Sequence, residues 1–127
     1  RYIEIEKEFV RVDRSILETE KKVEATRKYI SDAGLSRIEG PEESVKLKEQ
    51  CFKSISHAQN SIEHAKKALA HAMDAEKQYY GDARETAGAL VEQAETRLKL
   101  AQKALEEALK SEEQCVKTAK QFQKARQ

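Results

Sequence analysis

The sequence predicts an all-α fold, an elongated antiparallel three-helix bundle of coiled-coil type stapled by one disulfide. Three observations carry that expectation. The composition is rich in helix formers and poor in turn formers; apolar and alanine residues recur at alternating spacings of three and four; and the two cysteines fall on one layer once the helices are folded together. Of the 127 residues, 37% are charged and 6% aromatic, with one proline, four glycines and no tryptophan. A β-rich or α/β domain would need many more turn residues, so the whole chain is expected to form a single helical bundle.

The first helix, about residues 1–33, carries Tyr2, Ile5, Phe9, Val12, Ile16, Thr19, Val23, Thr26, Ile30 and Ala33 on an unbroken seam. Gly34 stops it, in the position of a left-handed C-cap that would fold Leu35 back on Ile30. After the connection LSRIEG, Pro41 followed by Glu42 and Glu43 makes a favourable first turn for a second helix, about 41–80. Its seam is Cys51, Ile55, Ala58, Ile62, Ala65, Leu69, Ala72, Glu76 and Tyr79. The phase breaks at Gly81, where Asp82 and Glu85 offer a capping box for a third helix, about 83–126. That helix carries Ala87, Val91, Ala94, Leu98, Ala101, Leu105, Ala108, Glu112 and Cys115.

Folding the second helix back on the third sets Ala72 against Ala94, Leu69 against Leu98, Ala65 against Ala101, Ala58 against Ala108 and Ile55 against Glu112. Small layers alternate with large ones, and alanine layers let helices approach closely. The next layer joins Cys51 to Cys115, residues that played no part in setting the register. A disulfide there would close a loop of about 65 residues, worth about 4 kcal/mol by chain entropy, and would imply an oxidising compartment. The other reading is a pair of buried free thiols in a cytosolic coiled coil.

With Ile55, Ile62 and Leu69 at heptad position a, the alanines lie at d and the three histidines, His57, His64 and His71, lie at c, seven residues apart. Successive c positions are about 10.5 Å apart along a helix, too far to share one metal ion. The g positions of the second and third helices, among them Ser54, Ser61, Ala68, Ala104 and Ser111, form a groove of mostly small residues into which the first helix should pack. The histidines then sit at its margin, either as structural boundary residues or as a pH-sensitive stripe, since histidine in general changes charge near pH ~6.5. On the opposite, e side, Val45, Phe52, Leu109 and Val116 gather near the cysteines. Either the first helix or its loop covers them, or they form an exposed apolar patch that binds a partner.

Enzymatic chemistry finds no support. Glu76 and Glu112 lie on different helices and far apart, so they cannot address one substrate and are expected to be wet seam positions; there is no phosphate loop, no cofactor motif and no C-x-x-C pair. The net charge is +1, with acids and bases balanced in each segment bounded by Gly40 and Gly81 except for that one excess cation in the last. Nucleic acid and anionic membranes are therefore poor partners, and Lys117, Lys120, Lys124 and Arg126 read as cations complementing a helix C-terminus. No stretch approaches the ~18 apolar residues of a membrane span and no signal peptide is present, so a secreted protein would be represented by its mature form or an excised ectodomain.

The alanine layers at 58, 65, 72, 94, 101 and 108, the Cys51 and Cys115 staple and the absence of tryptophan together resemble the elongated alanine-rich bundle ectodomains of trypanosome surface receptors and coat proteins. That resemblance is one of style over the whole chain, has no diagnostic motif and transfers no site residue. It implies host-protein binding or a surface coat. The expected function is thus a non-enzymatic extracellular or cell-surface module that binds a protein partner, with an intracellular coiled-coil scaffold or tether as the alternative.

Overall fold

In a computed structural model of the chain, the backbone is described for residues 2–33 and 41–125, and side chains for 2–28, 49–115 and 117. Three helices make up the fold: α1 (Ile3–Ala33), α2 (Pro41–Gln78) and α3 (Asp82–Ala125). At 1.5 Å per residue, α2 and α3 are about 57 and 66 Å long, so the bundle is a rod. Among the described residues there is no strand.

The α2–α3 turn is built around Gly81, whose φ of 63° lies in the left-handed region that glycine occupies without strain. Its carbonyl accepts from the amides of Arg84 and Glu85, so Gly81 itself occupies the N-cap position and Asp82 is the first residue of α3. This corrects the expected capping box. Asp82 contributes its negative charge to the first turn rather than a side-chain cap. The turn at Gly34 lies outside the described residues.

The d-position residues Ala58, Ala65, Ala72, Ala87, Ala94, Ala101 and Ala108 are fully buried. Ala72 and Ala94 share one core cluster, and Ala58 and Ala108 share another, as the expected register requires. The α1 helix packs into the g groove, burying Ser54, Ser61, Ala68, Ala104 and Ser111. That choice shifts the centre of the core. Around a helix the order of positions is e, a, d, g, c, so a third helix on the g side leaves d in the middle and a at the edge. Ile55, Ile62, Leu69, Val91, Leu98 and Leu105 are accordingly only half-buried.

Glu112 is exposed, as expected of a wet seam position, while Ser111 beside it is buried under α1. Ile55 packs with Leu105 against Val23, Ala58 and Ala108. One expectation needs correction. On α1 the expected seam residues Ile5, Phe9, Val12, Thr19, Val23 and Thr26 are buried, but so are Glu8 and Ser15, which the seam omitted. A helix lying in a groove between two others must bury a wider stripe than one lying on a single partner.

Two clusters hold the rod. Near the α2–α3 turn, Ile5 and Phe9 pack on Ala68, Ala72 and Ala94, flanked by Tyr2, Leu69, Leu90 and Val91. Tyr2 stands edge-on to Tyr79 and donates its hydroxyl hydrogen to the Ala83 carbonyl at 2.8 Å, tying the start of α1 to the turn. Further along, the buried hydroxyls of Thr19, Ser54 and Ser61 donate to carbonyls of their own helices, which satisfies them without crossing the interface. Cys51 and Cys115 are disulfide-bonded, with Cα atoms 7.1 Å apart, slightly beyond the usual span of roughly 4.4 to 6.8 Å.

Candidate functional site

The histidine row divides into three different environments. His71 is exposed and His57 half-buried, whereas His64 reaches α1, its Nδ1 lying 2.6 Å from Glu8 Oε2. The other oxygen of the same carboxylate accepts from Arg11 Nη1 at 2.7 Å. Glu8 is only 6% exposed, so a lone carboxylate there would be costly. Burial pushes its pKa up, but the hydrogen bonds and charges of His64 and Arg11 together outweigh burial and hold it below its ordinary value of 4.5. With Glu8 as acceptor, the proton of the pair sits on His64 Nδ1.

This contact assigns His64 a positioning task between α1 and α2. Position c borders g, and α1 lies over g, so a c residue is the first that can reach across to it. The same edge carries a second polar contact, Asn60 Nδ2 to Ser15 Oγ at 3.2 Å. Against α3, Arg97 at a g position makes paired bonds of 3.0 and 3.1 Å to Asp13 while its guanidinium stacks 4.1 Å from the centre of the Phe9 ring. These polar contacts along α1 fix its register in a groove whose small side chains would otherwise permit sliding.

The sequence row of residues 8, 15 and 22 is where Glu8 and Ser15 could have been found. Each lies three residues after or four before a seam residue, which is the flank of a helix packed between two partners. The charge of Glu8 concealed it, because a carboxylate in that row reads as solvated unless its partners on another helix are known.

The apolar patch is uncovered where it is described. Phe52 is 74% exposed and Leu109 46% exposed, both at e positions on the side of the hairpin away from α1. Phe52 directly follows Cys51, and Leu109 directly follows Ala108, one heptad layer from the disulfide. The side chains of Val45 and Val116 lie outside the described residues. The physical cause of the exposure is the shift of the core: with the a residues at its edge, an e residue lies beyond it.

A shallow groove of about 220 Å³ runs between α1 and α3 at the same end, lined by Val23, Arg27, Glu107, Lys110, Ser111 and Gln114. Its mixed charges hold no convergent set of catalytic groups. Among the described residues no three His, Cys, Asp or Glu side chains cluster closely enough to hold a metal ion, and no helix is long and apolar enough to cross a membrane. Lys117 is exposed, and Lys120, Lys124 and Arg126 lie outside the described side chains. Comparison with known protein families, with curated proteins and with solved structures finds no match.

Proposed function

We propose that this chain is a non-enzymatic, extracellular or cell-surface helical module that binds a protein partner through the patch containing Phe52 and Leu109. The observation that carries the reading is the exposure of a phenylalanine beside a disulfide-stapled layer. An aromatic ring left in water on a rigid surface is a natural interface anchor, and the staple keeps that surface in place when the partner is absent. The disulfide also supports an oxidising compartment. A rod of this length presents surface at a distance, which supports recognition of a macromolecule.

The test compares the folded domain with Phe52→Glu. The substitution lies at an exposed position, so helicity and melting temperature should stay unchanged while capture of a partner from extracellular fluid or intact cell surfaces is lost. Equal capture by both proteins removes the patch as the binding site. The mass of native material before and after reduction separates this reading from an intracellular scaffold or tether: free thiols in native protein would favour the latter.

A further inference from the structure

One helix face is left unpartnered by the bundle and carries an ordered pattern. On α1, Ile3, Val10 and Leu17 are 60%, 56% and 49% exposed. Each stands two residues before a buried residue, Ile5, Val12 or Thr19, and two residues are about 200° of helix rotation at 3.6 residues per turn. The three therefore form one row on the side of α1 facing away from α2 and α3.

The charges beside that row are sorted by sign. Four residues after each apolar residue stand Lys7, Arg14 and Lys21. Three residues after stand Glu6, Asp13 and Glu20. All six are exposed. Positions three and four residues on lie to opposite sides of the parent residue, so the apolar row has a basic edge and an acidic edge. Contacts within α1 do not account for the sorting, because Lys7 and Lys21 pair with Glu4 and Glu18, which belong to neither edge, and on the acidic edge Asp13 is held across the bundle by Arg97 while Glu6 and Glu20 face solvent.

We propose that this face pairs with the same face of a second copy of the chain, the two α1 helices lying parallel. A two-fold axis running along the helices brings the basic edge of each copy against the acidic edge of the other on both sides. Antiparallel pairing would set base against base and acid against acid. Charge complementarity thus selects both the occupant and its direction. The row is about 21 Å long at 1.5 Å per residue and offers three apolar side chains per copy, well short of the ~800 Å² per partner of a stable interface. The dimer is therefore weak, concentration-dependent and loosened by salt.

Sedimentation equilibrium of the full oxidised chain, from micromolar to millimolar concentration, tests this. The wild type should pass reversibly from monomer to dimer, and Val10→Lys should weaken the dimer by at least about tenfold, or 1.4 kcal/mol. Two further variants separate pairing from folding. K7E/R14E/K21E makes both edges acidic, and E6K/E20K makes the other edge basic while leaving Asp13 on Arg97. Each should be helical and monomeric alone, and mixing them should restore the dimer. Direction is read from cross-linking: Ile3→Cys should join to itself under mild oxidation faster than it joins to Leu17→Cys. A wild type that stays monomeric at millimolar concentration, a Val10→Lys dimer as tight as wild type, or mixed variants that stay apart would overturn the pairing. Preferential Ile3→Cys to Leu17→Cys cross-linking would overturn the parallel arrangement.

Discussion

Two regions of the rod, one beside the α2–α3 turn and one beside the disulfide, are held by different physics. Near the α2–α3 turn, Ile5, Phe9, Tyr2 and Tyr79 bury large side chains against the alanines of the hairpin, and Arg97 clamps Asp13 over the Phe9 ring. Towards the disulfide the described interior carries the hydroxyls of Ser54, Ser61, Ser111, Thr19 and Thr26 beside Ala58, Ala104 and Ala108, with Val23 the one large aliphatic residue of its buried cluster and Ile55 and Leu105 half-buried against it. Small hydroxyl side chains bring helices close but remove little apolar surface from water, and stability follows that surface at roughly 25 cal/mol per Å². Among the described residues, the covalent link stands where the buried large side chains are few. The contrast teaches that close packing and strong packing are separate properties, and that this bundle obtains the first by alanine and serine and the second by aromatics near the turn and by the cystine further along the rod.

The comparison can be broken most directly at Phe9. Phe9→Ala should cost about 3 to 5 kcal/mol by chemical denaturation, because it empties the turn-end cluster and removes the face on which Arg97 stacks. A cost under about 1 kcal/mol would mean the turn end does not rest on its aromatics. Replacing Cys51 and Cys115 by alanine should cost about 2 to 5 kcal/mol. Hydrogen exchange should then show protection lost around residues 51–61 and 108–115 while the turn end keeps its own; uniform loss along the rod would show that the two regions are one cooperative unit.

Overpacking sharpens the middle of the comparison. Ala101→Leu places a large side chain in a fully buried layer and should cost about 1 to 3 kcal/mol, seen as a lowered melting temperature. An unchanged temperature would show that the alanine layer is not close-packed.

The smallest effect is the electrostatic one. The folded-state pKa of Glu8 is held below its ordinary value of 4.5, so its contribution is fully present above that value and is lost as pH falls through the depressed folded value. Glu8→Gln should therefore lose about 1 to 2 kcal/mol at neutral pH and show a shallower decline in acid than wild type. Parallel declines in urea midpoints measured down through the carboxylate range would remove the Glu8, His64 and Arg11 contact from the account of acid stability.

Much of the fold was legible because helices advertise themselves locally. The breaks at Gly81 and Pro41, the alanine layers and the Cys51–Cys115 pairing all follow from period and from folding one seam on another. Helix boundaries agree with expectation to within about two residues, the margin at which helix ends fray. Glu8 and Ser15 escaped the seam for a physical reason. A single seam assumes one partner, and α1 lying in the groove between α2 and α3 buries the flanking row as well. The exposed Phe52 and Leu109 were visible as an anomaly of composition, but their exposure depends on where the core lies.

By itself the sequence determined the helices, their hairpin register and the cystine, because each depends on local spacing and on matching layers between neighbours in the chain. Only the tertiary structure decided the role of the histidines and the burial of Glu8. Both depend on which residues of α1 meet which residues of α2, and a charged side chain is stable inside only when its partners are already in place. It is the position of α1 that turns one histidine of an even row, His64, into the partner of a buried carboxylate.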